Sequence, residues 1–256
     1  MADLHGVSID YIEARCLQIQ RCLQAVTILP RPASTSNFVR CARAVQLLQR
    51  TQPSMLEQWT PVYIEGDGNC MFRAISQAVF GTQDVYMQLR LLACLEVGTH
   101  RALYDTSNPA CHELLKRDIL LPPAFPDLWL ELTSLGQACT YVALLALSAV
   151  LSCRVSSFFP PMQSAFVSPL TLEITGRAVS ANCPSVAVMW STLAAVPDRG
   201  PVDINHIVTL QRHVNSAVQP TLLPTQTTAS SDLVHVPATI NSYGITMCLS
   251  GINTVA

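Results

Sequence analysis

Only Gly66-Asp67-Gly68-Asn69 separates a strand-like run from a helical one. Trp59 to Glu65 (WTPVYIE) is rich in aromatic and β-branched residues, the composition of a strand. From Cys70 to Phe80 (CMFRAISQAVF) the apolar residues fall at helical spacing. The tight, glycine-rich connection therefore places a cysteine where a helix starts. A thiol there meets backbone N–H groups that have no intrahelical partner and the positive end of the helix dipole, and both favour thiolate. The glycines allow backbone angles that aim N–H groups at one point, where they can hold the oxyanion formed when a thiolate attacks a carbonyl. One short segment can thus supply a nucleophile and its oxyanion hole. By spacing alone, the same loop reads equally well as a turn followed by one more buried thiol.

The remaining chain predicts an α+β (α/β-like) domain with a small central β-sheet flanked by helices. Residues 8–29 read as a helix, with Ile9, Ile12, Cys16, Ile19, Leu23 and Val26 along one face. Ser34 to Asn37 offer caps for a second helix reaching about Arg50. Another helix is expected from Gln83 to about Tyr104, and a core helix from Leu132 to Ser152. Strands are expected at Cys153–Phe159, Val186–Trp190 and His206–Leu210, each short, apolar and bounded by Pro, Gly or Asn. From Ser216 to Ala256 the chain is rich in Thr, Ser, Pro and Asn, with Asp232 its only charged side chain; it reads as loop or disorder, with a weak strand near Ser231–Val236. The expected division is a helical extension over 1–55, the main domain over 56–215 and a polar tail over 216–256.

Composition narrows the function. Charged residues make up 12% of the 256, and all basic side chains but Lys116 are arginines, scattered singly, so no nucleic-acid footprint is expected. Ten cysteines without a Cys-x-x-Cys pair argue against a structural zinc site. Most lie in apolar runs of a chain too long to need staples, and the start (MADLHGVSID) lacks the pattern of a secretory signal; reduced thiols in an intracellular protein, cytoplasmic or nuclear, are expected. Ala138 to Leu151 is apolar for 14 residues, short of the ~20 that a membrane span needs, and predicts a core helix rather than membrane contact.

Asp67 to Ala74 (Asp-Gly-Asn-Cys-Met-Phe-Arg-Ala) resembles the nucleophile motif of the ovarian tumour (OTU) domain cysteine proteases, mostly deubiquitinases: Asp-Gly-Asn-Cys, an aliphatic residue, Phe, Arg and a small residue. The resemblance implies a papain-like fold, Cys70 as nucleophile and a histidine base at the start of a late strand. His206, in Asp203-Ile204-Asn205-His206-Ile207-Val208, fits that place, whereas His5 and His235 lie in the extension and the tail, His100 at a helix end, His112 beside Lys116 and Arg117 on a solvated face and His213 past the last strand. It implies ubiquitin or a ubiquitin-like protein, with its conjugates, as partner, and no metal or organic cofactor. Met189-Trp190 with Asn205 to Val208 also resembles OTU-like domains of retroelement-derived proteins. Arg73 is expected to pair with a carboxylate, and Trp129 and Trp190 to pack in the core.

The chain departs from the family pattern at one position. Many OTU enzymes orient the imidazole with an Asp or Asn two residues after the histidine, and here that residue is Val208. An apolar side chain cannot accept the ring N–H. The orienting group must come from elsewhere, with Asp67 the first candidate and Asn205 and Asp203 the alternatives. An OTU-like module that binds without cleaving stays open beside the enzyme.

Overall fold

A computed structural model describes residues 14, 38–116, 124–161 and 171–213. Apart from Ala14, which is helical and exposed, the expected helix over 8–29 lies outside the described residues, as do Ser34–Asn37 and the tail from Ser216 onward. The helix those caps were expected to open starts later, at Ala42, because Arg40 bridges to Val62 in extended backbone. By its contacts the chain divides into Met1–Val214 and Asn215–Ala256, and every described residue lies in the first unit.

The fold is α+β. Helix α1 (Ala42–Thr51) and a 3₁₀ turn (Pro53–Glu57) lead into strand β1 (Trp59–Val62). Four helices follow: α2 (Cys70–Phe80), α3 (Tyr86–Thr99), the short α4 (Arg101–Tyr104) and α5 (Phe125–Thr133). After α6 (Val142–Leu151) come β2 (Arg154–Phe158), β3 (Leu172–Ile174), β4 (Ser185–Ser191) and β5 (His206–Arg212). The five strands form one sheet in the order β1-β5-β4-β2-β3. All neighbours run antiparallel except β2 and β4, which are parallel.

Two elements explain where the core sits. Strand β5 is flanked on both sides, and its first five residues are all buried. Helix α2 packs on it, and the Thr209 hydroxyl donates to the Ala74 carbonyl at 2.6 Å. Helix α6 has no polar face, so it is stable only when enclosed. Val142 to Ser148 are all buried, packed against α2, α3, β2 and β3. Ala44, Leu47 and Leu48 of α1 join the same core, and the residues just before α1 run beside β1: the Cys41 N–H donates to Pro61 at 2.9 Å and the Tyr63 N–H to Val39 at 2.7 Å. That coverage shields an edge strand which Pro61, lacking an N–H, can occupy at little cost.

The expected helix over 70–80 is found with those limits, and the three late strands fall within a residue or two of theirs. The expected single helix from Leu132 to Ser152 is instead two. Helix α5 stops at Thr133, Gly136 takes a φ of 72°, and α6 starts at Val142. The carbonyls of Glu131, Leu132, Ser134 and Gln137, which a continuing helix would use, are taken by the buried Arg90. The helix expected over 83–104 breaks at His100 into α3 and α4. Among the described residues no helix is long and apolar enough to cross a membrane. The described cysteines are free thiols.

Candidate active site

The loop after β1 is built around a backbone contact that only glycine permits. Gly68 has a φ of 80°, and a Cβ on it would stand 1.7 Å from the Gly136 carbonyl oxygen. The nucleophile loop and the turn between α5 and α6 are thus pressed together, main chain against main chain.

Within the loop, Asp67 is held by its neighbours. One carboxylate oxygen accepts from the Asn69 N–H at 2.9 Å, and the other from the Asn69 amide at 3.0 Å and from Arg73 at 2.8 and 3.1 Å. Burial pushes this carboxyl up, but the bonds from Arg73 and Asn69 outweigh it and hold the group at about 2. Arg73 also lies 3.3 Å from Glu65 and 3.8 Å over the Tyr86 ring, so it does pair with carboxylates.

Cys70 opens α2, with Asn69 as N-cap. Asparagine in that position ordinarily caps with its side chain. Here it makes no cap hydrogen bond, because its oxygen accepts from Arg90 at 2.6 Å and from the Gly136 N–H at 3.4 Å. The backbone N–H groups of Ile207, Met71 and Cys70 itself face the sulfur. Burial nevertheless dominates and moves the thiol up from its ordinary 9.0, with the Asp67 charge adding to it and the N–H groups opposing. The helix start was expected to favour thiolate; desolvation of a side chain only 9% exposed outweighs it.

His206 opens β5 and is buried. Its Nε2 lies 3.1 Å from the Ile64 carbonyl oxygen. A carbonyl only accepts, so Nε2 carries the proton and Nδ1 holds the lone pair. Nδ1 is buried and without a partner, as is the hydroxyl of Ser191, which faces His206 across the β4–β5 pair. Burial lowers the imidazole's pKa; the nearby Arg43 charge acts the same way, and the Ile64 bond and the Asp67 charge oppose it.

The structure thus sets the Cys70 sulfur against the N–H of the residue that follows His206, although thiol and imidazole share no hydrogen bond. None of the three candidates for the orienting group bonds to His206. Asp67 is taken by Arg73 and Asn69, while Asn205 accepts from the Leu193 N–H at 3.1 Å and donates to Asp203 at 3.1 Å. The Ile64 carbonyl takes their place, and a backbone group leaves no mark in a sequence. Arg90 was also missed, though a lone arginine amid Leu89, Leu91 and Leu92 was a visible signal. Of the other histidines, His100 bonds Thr99 and Glu96, and His213 bonds Thr60 and Glu57. Trp129 is buried beside Phe125, and Trp190 is half-buried with its N–H on Ser157.

The family model described as "Vertnin, OTU domain" matches residues 61–122, a stretch that holds the whole loop and Cys70. The resemblance is to OTU domains. His206 lies beyond the matched residues. No curated protein matches the chain. Among solved structures, the OTUD1 OTU domain is similar at 17% identity and a TM-score of 0.44, covering 66% of this chain and 99% of that one. The viral OTU domain protease from Farallon virus is similar at 15% identity and a TM-score of 0.38, covering 62% and 86%. An h/ceOTUB1 structure with ubiquitin aldehyde and UBC13~Ub shows 13% identity and a TM-score of 0.42, covering 80% and 98%.

Proposed function

We propose that the chain is a cysteine-dependent deubiquitinase that hydrolyses the bond after the C-terminal glycine of ubiquitin or a ubiquitin-like protein, inside the cell, with residues 56–215 as its catalytic domain. The observation that carries this reading is the Cys70 sulfur beside the His206–Ile207 peptide, in a loop of OTU sequence, with a basic ring nitrogen of His206 left unpaired. In the proposed reaction, Nδ1 of His206 takes the Cys70 proton as the sulfur attacks the glycine carbonyl carbon. Backbone N–H groups at the start of α2 hold the resulting oxyanion. Collapse breaks the carbon–nitrogen bond, and the leaving amine takes the proton from Nδ1. Water then attacks the thioester, giving its proton to His206, which returns it to sulfur as the modifier's carboxylate leaves.

A second reading, an OTU-like module that binds ubiquitin or another protein without cleaving it, has its own support. The thiol is buried and raised in pKa, and it makes no hydrogen bond to His206. Incubation with a ubiquitin probe bearing a C-terminal electrophile separates the two. Covalent capture at Cys70, lost in Cys70→Ala, is the result expected of the enzyme. Reversible binding without an adduct is the result expected of the module.

A further inference from the structure

Arg90 is 2% exposed, and among the described residues no carboxylate lies within ion-pair distance of it. A buried charge is ordinarily paired with an opposite one. This cation instead spreads its donors over neutral acceptors. Its Nε donates to Leu132 at 2.8 Å, and its two terminal nitrogens to Glu131 and Ser134 at 2.5 Å, Gln137 at 3.0 Å and Asn69 at 2.6 Å. The carbonyls belong to the end of α5 and the turn after it, where the helix dipole favours a cation. Asn69 belongs to the nucleophile loop, and the ring of Phe72, two residues past Cys70, lies 5.0 Å under the guanidinium. One side chain therefore ties the α5–α6 turn to both flanks of Cys70. The tie coincides with the Gly68–Gly136 backbone contact.

We propose that Arg90 is a positioning residue for Cys70: by holding the side-chain oxygen of Asn69 it keeps that residue from capping α2 and buckles the loop to the turn at 134–137, so that the first N–H groups of the helix stay turned toward the sulfur. The catalytic consequence rests on the reading of Cys70 as nucleophile, whereas the buckle itself does not. Freed from Arg90, the Asn69 oxygen swings to the helix N–H groups, as asparagine caps do, and the loop lifts from the turn.

The test uses the full chain with Arg90→Lys, which keeps the charge but not the planar fork, and Asn69→Ala, which leaves every carbonyl bond of Arg90 in place. Alkylation by iodoacetamide is mapped by mass spectrometry, with the buried Cys41 and Cys153 as internal standards. Local opening should speed the reaction at Cys70 about fivefold in both variants while the two standards stay slow. Capture by the electrophilic ubiquitin probe should move the opposite way, falling at least roughly tenfold as the oxyanion donors lose their aim. An unchanged Cys70 rate in both variants overturns the buckle, and so does acceleration of Cys41 and Cys153 in step with Cys70. Capture that persists at the wild-type rate in the variants overturns the positioning role. If the unsubstituted chain is not captured at all while the alkylation pattern holds, the buckle stands and the deubiquitinase reading falls.

Discussion

Nε2 of His206 lies 3.1 Å from the carbonyl oxygen of Ile64, and that bond decides which ring nitrogen is basic. It also supplies the acceptor that Val208 cannot. Placing at 208 the Asp or Asn that many OTU enzymes carry there should therefore gain nothing. Val208 is fully buried, and an amide placed there without partners costs about 1–3 kcal/mol. Val208→Asn is expected to lower the thermal midpoint and leave probe capture no faster than wild type. A capture rate well above wild type would show that Ile64 is not the orienting group.

Burial acts on the two proposed catalytic groups in opposite senses, down for His206 and up for Cys70. The pair is consequently neutral at rest, not a thiolate beside an imidazolium. The imidazole is already a free base below its ordinary 6.5, so the acid limb of kcat/KM should fall below that value. Alkylation of Cys70 by a small reagent follows the thiolate and should reach its midpoint above pH 9.0. Both profiles are measurable on one preparation, and His206→Gln, which lacks the base, should abolish turnover. A Cys70 alkylation midpoint below neutrality contradicts the neutral pair.

How far the sequence carried is visible in these same residues. The strand, which stops at Val62 rather than Glu65, the glycine turn and the helix from Cys70 were legible because each uses local chemistry: β-branched residues, a positive-φ glycine at 68 and 3.6-residue periodicity. The break between α5 and α6 was marked only by Ser134, Gly136 and Gln137, and the group that holds its freed carbonyls, Arg90, is remote in sequence. His206 was readable from its place at the head of a late apolar strand, whereas its orienting carbonyl at Ile64 carries no side-chain signature. The helix start at Cys70 does turn N–H groups toward the sulfur, but desolvation outweighs them, and it depends on tertiary packing that no short segment encodes.

Asp67 ties its loop to Arg73, and this has a pH signature. Its carboxyl is held at about 2 in the folded chain against 3.8 as a free group. A lowered folded value means that the unfolded chain binds the proton first, so the stabilisation is whole above 3.8 and is lost as the pH falls toward about 2. Asp67→Asn removes the titration. The urea midpoint of the variant should fall less steeply across that window than that of the wild type, while being lower near neutrality. Parallel curves for the two proteins would show that Asp67 is not the group responsible.

Gly68, Gly136 and Gly200 all have positive φ, but their surroundings differ, which separates backbone conformation from close approach. At Gly200 an added Cβ meets nothing within 4 Å, and at Gly136 its nearest neighbour is the Asp67 carbonyl oxygen at 3.5 Å. Alanine at either position should cost only the left-handed backbone, about 1–2 kcal/mol. At Gly68 the Cβ falls 1.7 Å from a main-chain oxygen, which no side-chain rotation relieves. Gly68→Ala must push the turn at 134–137 away from the loop, at about 3 kcal/mol or more. Chemical denaturation of the three variants is expected to rank Gly68→Ala lowest. Capture by the ubiquitin probe should be lost in that variant even at temperatures where it remains folded, because the displaced turn carries the carbonyls that hold Arg90, and through it Asn69. Equal midpoints for the three alanine variants would mean that loop and turn are not in main-chain contact.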